Sequence, residues 1–321
     1  MIRMRSKLHL VLLLIALTMT PVHAWAGPPA SPQLVILDTD IGDDIDDAFA
    51  LALAVQSPEF DLLGITTEFG NTELRARLVD RYLAAIGRSR IPVAAGLPTP
   101  AANHFTQAAY ALQQPDRKHP DAVGFILAQA RAHPGQVTLI GIGPLVNVRA
   151  AIARDPAGFR LLKRVVIMGG SIYRGYDHDG VPSTTPDPEW NILCDPAGAK
   201  ALLDSGVPVF MAPLDSTQVH LRGPELDSIL SHGSPLTDQL TLLYHEWGAG
   251  HDPNHQPEPT LYDPVAVTYA LRPDLCPMIP MRIEVDAKGN TRPIPGPPNA
   301  QVCLKSDEKA FLDLLVGRIL K

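Results

Sequence analysis

The chain has 321 residues, of which 45% are hydrophobic and 19% charged, and its formal net charge is −7 at neutral pH. This composition is typical of a globular protein with a substantial core, and it excludes a disordered chain. Because no basic tract offsets the negative charge, nucleic acid and anionic membranes are poor partners, and small neutral or cationic ligands fit better.

Residues 1–26 have the pattern of a secretory signal peptide. Three basic residues precede the apolar run of residues 8–19, which is short for a membrane span, and Ala24 and Ala26 offer cleavage sites. We therefore expect an exported protein, periplasmic or secreted, with no stable membrane insertion after cleavage and a single α/β domain over residues 27–321. An uncleaved membrane anchor is the alternative.

Strand-like and helix-like patterns alternate along this domain. Continuous apolar runs predict strands at residues 34–38, 60–67, 91–96, 136–143, 164–170 and 207–213. Helical patterns occupy residues 46–56, 72–87, 122–132, 144–155 and 197–206. Strands that are apolar throughout indicate burial on both faces, so we predict an α/β fold with a doubly wound, mostly parallel sheet, helices on both faces and a Rossmann-like core.

Three long segments rich in proline, glycine or histidine interrupt this alternation, at residues 98–120, 173–190 and 248–264. The first two follow predicted strands, so we expect them to lie over the carboxyl edge of the sheet as lids or binding loops.

Three cysteines, Cys194, Cys276 and Cys303, lack the spacing of a zinc site or a redox motif. Either Cys276 and Cys303 form a disulfide and leave Cys194 free, or all three are buried thiols.

The first predicted strand ends in an unusual acidic stretch, "LDTDIGDDIDDAFAL". Six aspartates fall within ten positions: Asp38, Asp40, Asp43, Asp44, Asp46 and Asp47. Like charges this close repel one another, and a hard divalent cation would relieve that repulsion. Helix caps and a solvated first helical turn are the other uses of such residues and could account for Asp43, while Asp44 could either help the metal or cap the helix.

Two motifs of this general kind do not fit. An EF-hand loop counted from Asp38 would need glycine where Asp43 stands and glutamate where Phe49 stands. A phosphatase of the aspartyl-phosphate type would need threonine or valine at the position of Gly42.

The acidic stretch resembles the signature of the inosine-uridine-preferring nucleoside hydrolase family, D-x-D-x-G-x-D-D-A-x-A-L, with a two-residue insertion. Asp38, Asp40 and Gly42 match its first half, and residues 46–51 match its second half. Further segments resemble family motifs in chain order: "LGITTEFGN" (63–71), "IPVAAGLPTP" (91–100), "GIGPLVN" (141–147), "VVIMGG" (165–170), "PEWNILCDPAGA" (188–199) and "LYDPVAVTYAL" (261–271).

The resemblance implies Ca²⁺-dependent hydrolysis of the N-glycosidic bond of ribonucleosides, as in purine or pyrimidine salvage, by a protein that is commonly a dimer or tetramer. It implies metal ligands at Asp40, Asp47, Asp263 and the backbone carbonyl of Val146. It implies substrate contacts at Asp46, Asn71, Met168, Glu189, Trp190 and Asn191. Asp40 is the expected general base, and Asp38 is expected to support the metal ligands.

The sequence leaves more than one candidate for the group that protonates the leaving base. Tyr262 stands where some family members have a candidate acid histidine, and Ser183 stands where the family has an asparagine. A His-Gly-x-x-Gly element expected after the third strand is absent from the sequence. Tyr262, His104 and His251 are therefore the candidates, and Tyr244 or Trp247 could stack on the base. The alternative function is a nucleoside- or ribose-binding protein that has lost catalysis.

Overall fold

The central sheet of the computed structural model, which describes residues 31–100, 105–178, 181–251 and 257–321, forms from the buried apolar runs of the sequence. Its strands, and those of a separate two-stranded sheet, are β1 (Gln33–Thr39), β2 (Phe60–Thr67), β3 (Val93–Ala95), β4 (Thr138–Gly141), β5 (Arg164–Met168), β6 (Val209–Ala212), β7 (Met278–Met281), β8 (Ile283–Val285), β9 (Thr291–Pro293) and β10 (Ala300–Cys303). The predicted signal peptide, residues 1–26, lies outside the described residues.

Thirteen α-helices occupy the described residues between and after these strands. They are α1 (Asp46–Val55), α2 (Thr72–Ala85), α3 (Ala108–Leu112), α4 (Ala122–Ala132), α5 (Val146–Arg154), α6 (Pro156–Phe159), α7 (Trp190–Cys194), α8 (Pro196–Asp204), α9 (Leu214–Thr217), α10 (Gly223–Leu230), α11 (Pro235–Gly248), α12 (Tyr262–Leu271) and α13 (Glu308–Ile319). A 3₁₀ turn at Pro273–Leu275 precedes β7. The helix α3 falls inside the segment 98–120, although the sequence predicts a lid or binding loop there.

The strands of the main sheet lie in the order β3-β2-β1-β4-β5-β6-β10-β7. Every neighbouring pair is parallel except β10 and β7, which are antiparallel. Helices cover both faces, as alternate residues of β1 show: Val35 and Leu37 pack in one hydrophobic core, and Ile36 packs in the other. The predicted doubly wound, mostly parallel α/β fold is confirmed.

The order of strands places a crevice at the carboxyl ends of β1 and β4. The chain runs outward from β1 through β2 and β3 on one side, and from β4 through β5 and β6 on the other. Ligands of open α/β sheets bind where the winding reverses in this way. A Cβ atom at Gly143, just after β4, would lie 2.8 Å from Asp40 Oδ1, so glycine permits this close approach.

The last two strands in the sheet order, β10 and β7, come from the C-terminal part of the chain, where no strand was predicted from the sequence. A disulfide joins Cys276 to Cys303, with their Cα atoms 5.6 Å apart, and Cys194 is free. The bond ties the turn before β7 to the end of β10.

Residues Pro32–Lys321 form one compact unit. Among the described residues, no helix combines the length and apolar character needed to cross a membrane.

Candidate active site

A cavity of about 300 Å³ opens at the carboxyl ends of the central strands. This volume is at the lower end of the range for small-molecule sites. Its lining residues are Asp40, Asp43, Asp44, Asp46, Asp47, Ile142, Met168, Tyr176, Glu189, Trp190, Asn191, Tyr262 and Asp263. The cavity therefore gathers most of the residues that the sequence analysis assigned to the site.

The turn between β1 and α1 carries the acidic stretch. Gly42 adopts φ +126°, and a Cβ atom there would overlap the ring of Phe105, so the turn requires glycine. The helix α1 begins after Ile45 without a side-chain cap. The Asp43 carboxylate accepts a hydrogen bond from Arg75 Nη2 at 2.8 Å, and the Asp44 carboxylate accepts the backbone N–H of Ile45 at 2.7 Å.

Arg75, in the first turns of α2, was not anticipated. Its side chain is almost fully buried, and its guanidinium donates to the carbonyl oxygens of Phe69 (2.8 Å), Ile41 (3.0 Å) and Asp40. One cation thus joins the turn after β1 to the turn after β2.

Three carboxylates form a group with the donor chemistry of a metal site. Oxygen atoms of Asp46, Asp47 and Asp263 lie within 4.8 Å of one another, and all three residues are buried. Asp46 Oδ2 accepts the backbone N–H of Asp263 at 3.1 Å, and Thr39 Oγ1 donates to Asp47 Oδ1 at 2.5 Å. Converging hard oxygen donors fit a divalent cation such as Ca²⁺.

This group differs from the predicted set of ligands. It contains Asp46, to which the sequence analysis gave a substrate contact, whereas Asp40 lies outside it on the same cavity wall. Val146 is the first residue of α5 and is not among the residues that line the cavity.

Burial makes the charged forms of these carboxylates unfavourable. It raises the pKa of Asp40 to about 7, against the opposing effect of the Arg75 guanidinium. Burial and the neighbouring carboxylates together raise the pKa values of Asp46, Asp47 and Asp263 well above their usual range. A cation at this position would remove much of that penalty.

Asp38, near the end of β1, forms hydrogen bonds to β2 and to α5. It is fully buried and accepts hydrogen bonds from Thr66 Oγ1 at 2.6 Å and from Asn147 Nδ2 at 2.8 Å.

Glu189 and Asn191 are fixed at the start of α7. The Glu189 carboxylate accepts the backbone N–H groups of Gly170 and Asn191, both at 2.8 Å. Asn191 Nδ2 donates to the carbonyl oxygens of Ile142 and Met168, both at 3.2 Å. These contacts bring the ends of β4 and β5 together with the segment that precedes α7. Burial raises the pKa of Glu189 to about 7.

Asn71 lies outside this cavity. Its side chain caps α2 by accepting the N–H of Leu74 at 3.1 Å, and the residue is exposed beside a neighbouring cavity that Arg75 and Phe105 also line. Asn71 was predicted to contact the substrate, but in this structure its side chain caps a helix.

Aromatic side chains line the same cavity as the carboxylates. Tyr176 and Tyr262 meet edge to face at 6.2 Å between ring centroids, and Tyr176 Oη accepts the backbone N–H of Trp190 at 2.9 Å. Trp190 is 44% exposed and meets Phe69 edge to face. Tyr176 was not predicted individually, although it lies in the 173–190 segment that was expected to be a binding loop.

The candidate acids occupy different positions. Burial and the carboxylates of Asp46 and Asp44 raise the pKa of Tyr262, so its phenol keeps its proton. His251 follows α11, is exposed and packs on Trp247 at 4.5 Å between ring centroids. His104 lies outside the described residues.

Comparison with known proteins agrees with this geometry. The model of the family described as inosine-uridine preferring nucleoside hydrolase matches residues 35–313. The pyrimidine-specific ribonucleoside hydrolase RihA of Citrobacter koseri is 30% identical over 319 residues, covering 89% of this chain and 97% of its own. RihA of Salmonella arizonae has the same identity and coverage.

Solved structures show the same likeness. A plant nucleoside hydrolase superimposes with a TM-score of 0.77 at 26% identity, covering 90% of this chain and 99% of its own. A purine-preferring ribonucleoside hydrolase from Gardnerella vaginalis gives a TM-score of 0.75 at 26% identity, covering 90% and 98%. The chain therefore belongs to the inosine-uridine preferring nucleoside hydrolase family and is an enzyme of the class that hydrolyses N-glycosyl compounds.

Proposed function

We propose that this protein hydrolyses the N-glycosidic bond of ribonucleosides, releasing the nucleobase and ribose, and that it depends on Ca²⁺. The observation that carries this proposal is that Asp40, Glu189 and Asn191 line the same cavity as the three-carboxylate group. The cation would be held by Asp46, Asp47 and Asp263, and when bound it supplies Lewis-acid activation of the attacking water.

The carboxylates suit the charge that develops in this reaction. Cleavage of an N-glycosidic bond builds positive charge on the sugar ring, and fixed carboxylates around the ring stabilise that charge. Asp40 is the proposed general base, because it lines the cavity and its pKa of about 7 lies near neutral pH. Asp46, Glu189 and Asn191 are proposed to contact the ribose hydroxyls, with Met168 and Trp190 around the rest of the substrate.

The Asp40→Asn variant tests the role of the base. We expect a fall in kcat of about 100-fold to 10,000-fold in a reducing-sugar assay on a panel of purine and pyrimidine nucleosides with Ca²⁺ present. The control is Asp61→Asn, an exposed aspartate at the opposite end of β2, which should retain activity. The absence of wild-type turnover across the whole panel would contradict the proposed function.

A nucleoside-binding protein without catalysis is the second candidate, and the high pKa of Tyr262 favours it because a phenol that holds its proton is a weak acid. Calorimetry with inosine and uridine, followed by analysis of the recovered ligand, separates the two. Binding with intact nucleoside recovered would support the binding protein, and recovered base and ribose would exclude it.

We also propose that the protein is exported. The basic and apolar pattern of residues 1–26 and the Cys276–Cys303 disulfide support this, because disulfides persist mainly in oxidising compartments. Fractionation of expressing bacteria, with N-terminal sequencing of the mature chain, tests it. A cytosolic product that still starts at Met1 would contradict export.

A further inference from the structure

The cavity carries a large excess of negative charge. Seven of its lining residues have carboxylates: Asp40, Asp43, Asp44, Asp46, Asp47, Glu189 and Asp263. Arg75 pairs with Asp43, and a bound divalent cation would add two positive charges, so carboxylates still outnumber cations. Asp43 and Asp44 belong to the turn that is two residues longer than the family signature.

Among the described residues, the same cavity offers no histidine to protonate the leaving group. Tyr262, which lines it, stands at the position where a histidine was expected. A neutral nucleobase departs with the electron pair of the broken bond and needs a proton to leave readily. A base that already carries a positive charge is neutralised by the same electron pair and needs none.

We propose that the preferred substrates are ribosides whose base is cationic, such as pyridinium ribosides and N7-alkylated purine ribosides. This rests on the proposed function and names its substrate class. In the reaction, the bond between C1′ and nitrogen breaks with its electron pair going to nitrogen, so the cationic base leaves neutral. Water forms the new C1′–O bond, and its proton passes to Asp40 and then to solvent. The products are ribose, neutral base and one proton.

The lining of the cavity matches a flat cation. Trp190, Tyr176 and Tyr262 present aromatic rings, and ring faces attract cations. Asp44 lines the same cavity as these three rings, so its carboxylate and the aromatic side chains surround the same space. We therefore assign Asp44 to attraction of the cationic base, an effect expected in KM.

The first experiment compares kcat/KM for substrates that differ in charge. Nicotinamide riboside is set against inosine and uridine, and 7-methylguanosine in its cationic form against guanosine. p-Nitrophenyl β-D-riboside is included because it is neutral and its leaving group needs no proton. We expect the cationic ribosides to exceed all the neutral ones by about tenfold or more, with a preference that falls as salt is added.

The outcomes separate this inference from the function on which it rests. Turnover of neutral nucleosides with no cationic preference would overturn the inference and leave the proposed function intact. Equal rates for p-nitrophenyl β-D-riboside and nicotinamide riboside would also overturn it. Easy departure of the leaving group would then explain both rates without any effect of the charge on the base. If no riboside is hydrolysed, the proposed function itself fails.

The second experiment uses Asp44→Asn with Asp61→Asn as a matched control for the loss of one charge. For Asp44→Asn we expect the KM for nicotinamide riboside to rise about threefold while the KM for p-nitrophenyl β-D-riboside changes less. Asp61→Asn should leave the KM values for both substrates unchanged, since its exposed side chain lies at the far end of β2. An unchanged ratio of the two KM values in Asp44→Asn would remove Asp44 from the recognition of charge.

Discussion

Arg75 and Asp43 form an ion pair of 2.8 Å between α2 and the lengthened turn, with 3% of the arginine side chain and 18% of the aspartate side chain exposed. The same guanidinium donates to the carbonyl oxygen of Asp40. A buried cation therefore fixes the backbone of the proposed general base.

Replacement of this cation should damage both stability and catalysis. We expect Arg75→Met to lower the free energy of unfolding by about 3 kcal/mol, because the partly buried Asp43 carboxylate loses its ion pair with the arginine. Arg75→Lys should recover part of kcat, since it keeps the charge but not the fork of donors. Urea unfolding and steady-state kinetics measure the two effects.

Arg88→Met provides the control, because Arg88 follows the same helix and is exposed. If Arg75→Met matched this control in stability and in kcat, Arg75 would have no positioning role.

The three-carboxylate group predicts a specific pattern of metal binding. We expect Asp263→Asn to weaken Ca²⁺ binding by at least about 100-fold in calorimetry and to abolish the rise in Tm that Ca²⁺ produces in the wild type. Asp274→Asn, at an exposed aspartate paired with Arg272, should bind Ca²⁺ like the wild type. Equal Ca²⁺ affinity in Asp263→Asn and the wild type would show that the cation binds elsewhere.

Glu189 predicts a pH dependence of stability in the metal-free protein. Its pKa is about 7 when folded and 4.5 without the protein environment, so the folded state holds the proton more tightly. This contribution is fully present below pH 4.5 and is lost as the pH rises through 7. It amounts to about 3 kcal/mol of unfolding free energy.

Urea unfolding in EDTA at several pH values measures this contribution. Glu189→Gln cannot titrate, so we expect its free energy of unfolding to decline less steeply than that of the wild type over this pH range. Identical slopes for the two proteins would show that Glu189 ionises normally in the folded state.

The disulfide predicts a loss of stability on reduction. Cys276 and Cys303 are 27 residues apart and both buried, and closure of a loop of this size stabilises the folded state by about 3 kcal/mol. The double replacement Cys276→Ala/Cys303→Ala should therefore have a lower Tm than the wild type, while Cys194→Ala should not. Detection of three free thiols in the denatured, unreduced protein would contradict the bond.

Local patterns predicted the fold because its first two-thirds repeats a strand followed by a helix. The predicted strand at residues 60–67 coincides with β2, and the crevice follows from where the acidic stretch meets the end of β1. The C-terminal part could not be predicted in this way. There β10 pairs with β6, which lies about 90 residues earlier in the chain, and local patterns do not reveal such a distant pairing.

The site could be predicted by residue type more readily than by role. The order of motifs identified four acidic residues of the site: Asp40, Asp46, Asp47 and Asp263. It could not show which of their carboxylate oxygens converge. The three-carboxylate group contains Asp46 and not Asp40. Asn71 illustrates a competing local interaction, because a side chain at the start of a helix readily caps it.

Arg75 shows what sequence patterns cannot resolve. One arginine among several in α2 has the appearance of a surface residue, and only the packing of Phe105 and the two turns around it reveals its burial.

The insertion of β10 between β6 and β7 also bears on how the protein is made. Among the described residues, every one that lines the cavity precedes residue 264, so the residues proposed for catalysis are synthesised while β6 is still an open edge. An unpaired edge strand recruits other strands. A chain that ends before Ala300 would thus contain every described residue that lines the cavity, yet it would be prone to aggregate. The final segment prevents this by pairing with the edge of β6.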